Sequence, residues 1–179
     1  MSENDLEEIA RGNWARMVRR GHWEFMTRLN TSGAVLITAI TEDDKLILVE
    51  QYRPPLDKIV LECPAGLAGD TAEFAGEALA DAARRELLEE TGFRAEEMIF
   101  LTEGPPSPAL NDEILTFYLA RGLEKVGPGG GDETENITVH EVPMAHLEQW
   151  LAEQTASGKL VDPKIYIGLA FAGRNPRQP

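Results

Sequence analysis

The fold is decided by one stretch, Glu77-Ala-Leu-Ala-Asp-Ala-Ala-Arg-Arg-Glu-Leu-Leu-Glu-Glu-Thr-Gly-Phe93. Alanine, leucine, glutamate and arginine favour a helix, and Gly92 is typical of a left-handed helix end. Glu86 stands three positions before Glu89 and four before Glu90, so a helix places the three carboxylates on one face. Carboxylates at this spacing repel each other, and a hard cation such as Mg²⁺, which prefers oxygen ligands, would relieve the repulsion.

One motif runs through these carboxylates, Arg85-Glu86-Leu87-x-Glu89-Glu90-x-Gly92-Phe93, and Glu77 stands eight positions before Arg85. It resembles the Nudix box, the signature of hydrolases that act on nucleoside diphosphates linked to another moiety. A solvated acidic helix face is the alternative, and it does not explain why these positions are all filled together.

The stretch before the helix departs from the family's pattern. In that pattern five residues separate a Gly from the first Glu, whereas ten separate Gly66 from Glu77 here. We interpret the additional residues, within 69–76, as a loop that bulges outward and leaves the helical carboxylates undisturbed.

Three further segments accompany the box: Glu50-Gln-Tyr-Arg-Pro-Pro55, Glu62-Cys-Pro-Ala-Gly-Leu67 and Asp132-Glu-Thr-Glu-Asn-Ile-Thr-Val-His140. Together they resemble the ADP-ribose pyrophosphatase branch of the Nudix family, over roughly residues 20–172. The resemblance implies Mg²⁺-dependent hydrolysis of ADP-ribose to AMP and ribose 5-phosphate. The same branch includes enzymes that act on GDP-mannose, other nucleotide sugars and dinucleotides, and a catalytically inactive nucleotide-binding regulator is a further alternative.

The resemblance also implies a metal site on the helix. Glu86 and Glu90 would be direct Mg²⁺ ligands, Glu89 would join them directly or through water, and the carbonyl of Ala65 would complete the inner shell. Mn²⁺ is an alternative ion. Arg85 is expected to brace the motif by pairing with Glu77, which is otherwise a solvated carboxylate near the helix N-terminus.

The general base is predicted on the loop at 127–135. By the resemblance it is Glu133, with Glu135 as the runner-up or a further metal contact, and Glu89 is a third catalytic candidate. The preceding glycines would act as a hinge that lets the acid approach the reacting water. A solvated acidic loop is the alternative.

Four residues are predicted to bind substrate. Arg53 is a candidate phosphate clamp, because a guanidinium binds phosphate through two hydrogen bonds. In the resembling branch an N-terminal aromatic residue, contributed across a dimer, stacks on the base, and Trp23 is the candidate, with Arg28 on the same hairpin. Glu113 matches a branch position near the substrate. The alternatives to substrate binding are an exposed position at the strand edge for Arg53, core packing for Trp23 and a charge at a strand edge for Glu113.

Composition limits the possible partners. The chain carries a net charge of −14, from 17 basic and 31 acidic residues, which disfavours non-specific binding of nucleic acid. No apolar run approaches the roughly 20 residues that cross a bilayer, and the acidic N-terminus is not typical of a signal peptide. The single cysteine, Cys63, cannot form an intramolecular disulfide, which is compatible with a reducing compartment. We therefore expect a cytoplasmic protein with a small nucleotide-sugar substrate and no membrane partner.

Hydrophobic patterns predict an α/β fold, a Nudix-like α/β/α sandwich with a mixed sheet, preceded by an N-terminal β-hairpin. The hairpin comprises 14–19 and 22–28; later strands are predicted at 33–40, 45–50, 59–62, 98–102, 114–120 and 137–142, and later helices at 143–157 and 164–171. We expect an arm at 1–30 for dimerisation and base binding, a Nudix domain at 31–173 and a disordered tail at 174–179. Because a lone hairpin is marginal in water, a homodimer is predicted.

Overall fold

An antiparallel sheet of three strands begins the described part of the chain. The structure, a computed structural model, describes residues 6–131 and 136–174. The strands are β1 (Glu7–Arg11), β2 (Ala15–Arg20) and β3 (Trp23–Arg28), and β2 lies in the middle. The last two form the predicted hairpin, and β1 is an additional strand that the sequence pattern did not predict.

The main sheet follows. Its strands are β4 (Gly33–Ile40), β5 (Lys45–Arg53), β6 (Lys58–Glu62), β7 (Ala65–Ala68), β8 (Phe93–Gly104), β9 (Leu115–Lys125), β10 (Thr138–Pro143) and β11 (Leu160–Val161). In the described residues the order is β11-β6-β5-β4-β9-β8, with β7 paired to β4 and β10 paired to β5. The sheet is mixed, as predicted, because β4 and β9 are parallel, β6 and β11 are parallel, and the other pairs are antiparallel.

Strand β4 divides the sheet and thereby positions the site. One edge pairs with β9 from Ala34 to Ala39. The other edge pairs first with β7, at residues 33–36, and then with β5, at residues 39–40. Between them the Ile37 N–H donates to the Pro64 carbonyl at 2.8 Å, so the chain crosses from β6 to β7 at the centre of the sheet.

In the part of the chain that the structure describes, three helices cover the sheet: α1 (Leu79–Thr91), α2 (Leu147–Ala156) and α3 (Lys164–Ala172). The face towards α1 is a cluster of buried side chains, Val35, Ile37, Ala39, Ile47, Ala68, Ala82, Ala83, Leu87, Phe93, Ala95, Tyr118 and Ala120. The opposite face, against α2 and α3, includes Leu36, Leu46, Leu48, Leu61, Leu115, Phe117, Leu119, Leu147, Leu151 and Ile165. Helices on both faces confirm the predicted α/β/α sandwich.

Several strands are longer than their hydrophobic patterns predicted, β8 and β9 most of all. Strand β8 begins at Phe93, and β9 ends at Lys125, because the two strands pair with each other along their whole length. A short 3-10 helix at Met144–His146 precedes α2. Within the described residues, no helix is both long enough and apolar enough to cross a bilayer. Most of the predicted tail, residues 175–179, lies outside the described residues, and the predicted domain boundaries stay predictions.

Candidate active site on helix α1

Helix α1 separates an apolar face from an acidic one. Leu87 is fully buried against the sheet, whereas Glu89 is exposed and Glu86 is partly buried. Gly92 ends the helix with φ of 73° and donates its N–H to the Leu88 carbonyl at 2.8 Å. The positive φ explains the glycine, because a side chain strains this conformation.

Arg85 joins the acidic face to the chain before the helix. Its Nη2 and Nε donate to Glu77 at 2.8 and 3.4 Å, and its Nη2 also donates to the Leu67 carbonyl at 3.0 Å. Its Nη1 donates to Glu86 at 2.9 Å and to Glu89 at 3.1 Å. The expected pairing with Glu77 is present. In addition, Arg85 itself relieves the repulsion that we assigned to a cation, a contact that the sequence interpretation missed.

The carboxyl group of Glu86 lies in a confined position. Burial raises its pKa to about 7, although the neighbouring Arg85 guanidinium opposes this shift. A Cβ placed on Gly66 would lie 2.0 Å from the Glu86 Cδ, so the side chain occupies the space that this glycine leaves open. A bound cation would favour the ionised carboxylate.

Glu90 is fixed against the strand that precedes the loop. Its side chain is 2% exposed, and its Oε2 accepts the Ala65 N–H at 3.0 Å. The structure therefore brings two of the predicted metal-site residues together, one from β7 and one from the last turn of α1.

The donor set fits a divalent cation of the Mg²⁺ type. It consists of carboxylate and carbonyl oxygens, which are the ligands that Mg²⁺ and Mn²⁺ prefer. A further buried oxygen, Asp70 Oδ1, has no hydrogen-bond partner among the described residues. In that part of the chain no three His, Cys, Asp or Glu side chains are already arranged to hold a metal. Arg85 instead holds Glu86 and Glu89, and the Ala65 N–H holds Glu90.

The loop at 69–76 differs from its prediction. The Phe74 ring lies over the Arg85 guanidinium, 4.3 Å from ring centroid to carbon, and the Gly69 N–H donates to Glu77 at 3.2 Å. The loop therefore folds back over the Arg85–Glu77 pair, and the expected outward bulge is wrong at Phe74. The spacing of residues in the sequence predicts neither of these two contacts.

Arg53 already has a carboxylate partner. Its Nε donates to Glu62 Oε2 at 2.7 Å across the β5–β6 pair, and both residues line a cavity of about 790 Å³. A phosphate would have to compete with Glu62 for this guanidinium. The sequence interpretation missed Glu62 as a partner, and strand register gives no signal for it, because Arg53 lies opposite Lys58 and Glu62 lies opposite Val49.

The three remaining substrate candidates do not all come together. Arg28 is ion-paired with Glu113, and both line a second cavity of about 550 Å³ between β3, the loop before β9 and the start of α1. Trp23 is 55% exposed, lies at the hairpin turn and belongs to the lining of neither cavity. The two base candidates, Glu133 and Glu135, lie outside the described residues.

The glycines before these base candidates contact α1. Gly130 and Gly131 donate their N–H groups to the Glu90 and Glu89 carbonyls at 2.8 and 3.1 Å. We predicted this segment as a hinge, and the structure shows its backbone docked on the helix end.

Comparison with known proteins identifies the architecture. A family model described as the NUDIX domain matches residues 30–160. This chain belongs to the Nudix family. The matched range includes the motif on which the resemblance was based, and the predicted family is therefore confirmed.

Several relatives of this Nudix chain have described activities. It is 37% identical over 140 residues to the methanol dehydrogenase activator of Bacillus methanolicus, covering 78% of this chain and 71% of that protein. It is 37% identical over 115 residues to the ADP-ribose pyrophosphatase of Bacillus subtilis, covering 63% and 58%. It is 30% identical over 149 residues to the GDP-mannose pyrophosphatase of Enterobacter sp., covering 78% and 72%.

A solved structure agrees with these relatives. The crystal structure of an ADP compounds hydrolase superposes with a TM-score of 0.63 at 27% identity, covering 82% of this chain and 80% of that one. The resemblance to the nucleotide-sugar branch of the Nudix family is therefore confirmed. The chain spans less than two thirds of the length of the Bacillus subtilis pyrophosphatase, so that protein's activity enters below as a proposal.

Proposed function

We propose that this Nudix protein is a divalent-metal-dependent pyrophosphatase of nucleoside diphosphate sugars, with ADP-ribose as its substrate. The observation that carries the proposal is the acidic face of α1, where Glu86 fits the space beside Gly66 and Arg85 joins Glu77 to Glu86 and Glu89. The similarity to enzymes named ADP-ribose pyrophosphatase supports the choice of substrate.

Glu86, Glu89, Glu90 and the Ala65 carbonyl are the proposed holders of Mg²⁺, which when bound neutralises diphosphate charge and makes water more acidic. Arg85 keeps the carboxylates of Glu86 and Glu89 on one side of the helix, and Glu77 in turn fixes Arg85. Water attacks one phosphorus, the bond from that phosphorus to the bridging oxygen breaks, and AMP and ribose 5-phosphate result.

The proposed proton acceptor for the attacking water is Glu133, with Glu135 as the alternative. Arg53 is the proposed phosphate contact, and it must exchange Glu62 for the substrate. Trp23 is proposed to stack on the base, while Arg28 and Glu113 line the neighbouring cavity. A cytoplasmic location stays a prediction.

Release of AMP tests the activity. Purified protein with Mg²⁺ and ADP-ribose should release AMP, and removal of the metal with a chelator should stop the reaction. Glu86→Gln should lower kcat/KM by about 100-fold or more, the scale of losing an electrostatic contact to the reacting centre. Asp81→Asn is the matched control on the same helix, because Asp81 is exposed and its ion pair within the described residues is with Arg84, at 3.5 Å. No AMP release, with Glu86→Gln equal to wild type, would refute the proposal.

The substrate alternative is GDP-mannose, another nucleotide sugar or a dinucleotide. The 30% identity to a GDP-mannose pyrophosphatase favours testing it first. A panel of these compounds compared by kcat/KM decides the question, and a GDP-mannose value above that of ADP-ribose would replace the proposed substrate.

A regulatory role is the alternative from another class, since one relative is named as an activator of methanol dehydrogenase. A catalytically inactive domain would be stabilised by ADP-ribose in a thermal-shift experiment without turning it over during hours. The filled carboxylate positions on α1 argue for turnover.

We also propose a homodimer. The N-terminal sheet exposes Ile9, Trp14, Trp23 and Met26, with 41%, 78%, 55% and 36% of their surfaces accessible. Sedimentation at micromolar concentration should give twice the chain mass, and a monomer would contradict the proposal.

A further inference from the structure

The carboxyl end of α1 is closed by a segment from a distant part of the chain. We call residues 127–131 the glycine stem. The Gly130 N–H donates to the Glu90 carbonyl at 2.8 Å, and the Gly131 N–H donates to the Glu89 carbonyl at 3.1 Å. The last carbonyls of a helix have no partner within the helix, so the stem supplies from outside what the helix lacks.

The close approach depends on glycine on both sides. Gly129 has φ of +68°, and a Cβ there would lie 2.4 Å from the Thr91 carbonyl carbon and 2.6 Å from the Glu90 oxygen. A Cβ on Gly92 would lie 2.1 Å from the Gly127 oxygen. These neighbours are backbone atoms, which cannot rotate away as a long side chain does. Any side chain at 129 must therefore separate the stem from the last turn of α1.

The neighbouring contacts tighten the same junction. The Val126 and Gly127 N–H groups both donate to the Gly92 carbonyl, at 2.9 and 3.1 Å. Lys125 Nζ donates to the Thr91 carbonyl at 3.0 Å, where a positive charge is favourable because the helix dipole is negative at this end. The helix end is thus held by a series of contacts rather than by one turn.

We propose that Gly129 is a positioning residue for Glu89 and Glu90, the metal ligands of the proposed function on which this inference rests. Two of the carbonyls that the glycine stem binds, those of Glu89 and Glu90, belong to the residues whose carboxylates are proposed to bind the metal. Glu90 is held from both ends, by Gly130 at its backbone and by the Ala65 N–H at its carboxylate. Shifting the stem therefore shifts two ligands.

Metal affinity distinguishes this role from simple turn formation. Mn²⁺ binding is measured by electron paramagnetic resonance without nucleotide, well below the melting temperature of each variant. Gly129→Ala should weaken Mn²⁺ binding by about 10-fold, the smaller effect expected when support behind a ligand is lost. Gly158→Ala is the control, because Gly158 also has a positive φ, +95°, and a Cβ there meets nothing within 4 Å. The Gly158→Ala variant has a strained backbone but no steric clash. Its Mn²⁺ affinity should therefore stay within about twofold of wild type, a smaller change than the one expected when the support of a metal ligand is lost.

The outcomes separate the two proposals. If wild type binds no Mn²⁺, the proposed function fails. If wild type binds Mn²⁺ and Gly129→Ala binds it equally well, the positioning role fails while the function stands. If Gly129→Ala does not fold, amide exchange in the wild type decides. The Gly130 and Gly131 amides should exchange about as slowly as those inside α1, and exchange at the rate of a free peptide would overturn the inference.

Discussion

Helix α1 and the N-terminal sheet both carry arginine–glutamate pairs, but in opposite settings. On α1, Arg85 has a side chain that is 15% exposed, and it contacts Glu77, which is 13% exposed. On the N-terminal sheet, Arg19 is 42% exposed, and it contacts Glu7 and Glu24, which are 67% and 46% exposed. Exposed pairs contribute little to stability, whereas breaking a buried pair leaves a charge without a partner.

The difference indicates that helix α1 and the N-terminal sheet have separate roles. The proposed chemistry lies in a region where Arg85 and Glu77 are mostly buried and paired, and it acts on the diphosphate that all candidate substrates share. The proposed recognition of the base lies on an open sheet whose aromatic side chains are still accessible. Changes at Arg85 and its carboxylate partners should therefore alter stability and turnover together, while a change at Trp23 should alter substrate affinity most.

The largest expected effect comes from Arg85→Met. Removing the guanidinium leaves the partly buried carboxylates of Glu77 and Glu86 without a cation, which should lower the free energy of unfolding by about 3 kcal/mol. Arg84→Met is the control, since Arg84 is 42% exposed in its pair with Asp81, and it should cost less than about 1 kcal/mol. Urea unfolding measures both, and equal costs would erase the contrast between the two regions.

Trp23→Ala should have an intermediate effect, and on a different quantity. Losing a stacked base costs on the order of 1–3 kcal/mol, so the KM for ADP-ribose should rise by about 10-fold. The free energy of unfolding of the separate subunit should hardly change, because 55% of the Trp23 surface is accessible in it. Trp14→Ala, at an even more exposed position, should leave KM nearly unchanged. If both variants raise KM equally, substrate binding depends on the N-terminal sheet in general, and the assignment of base stacking to Trp23 is wrong.

Phe74→Leu should have the smallest effect. It keeps an apolar side chain over Arg85 but removes the aromatic face, whose attraction to a guanidinium is worth about 1 kcal/mol. For a chain of this size the melting temperature should fall by about 3 °C. Phe74→Tyr retains the face and should behave as wild type. A Leu variant as stable as wild type would mean that the ring only fills space.

The sequence predicted helix α1 and the Arg85–Glu77 pair, because helical spacing and a local motif determine which side chains share a face. The metal-binding role of its carboxylates stays a prediction. It did not predict β1, whose five residues are all exposed and whose position depends on pairing with β2. Nor did it predict the contacts of Phe74 or of the glycine stem with α1. The glycine stem joins segments that are distant along the chain, whereas Phe74 lies in the loop just before α1, and no periodicity or spacing predicts either contact.

The space beside Gly66 has a consequence for selection. The three atoms nearest to a Cβ at 66 all belong to the side chain of Glu86, so we expect a side chain there to displace this carboxylate before it displaces any backbone. The displaced group, however, is a proposed metal ligand. A mutant library sorted by expression should therefore retain many residues at this position, and the same library sorted by turnover should retain glycine alone. We therefore expect selection for catalysis, and not selection for folding, to retain glycine at position 66.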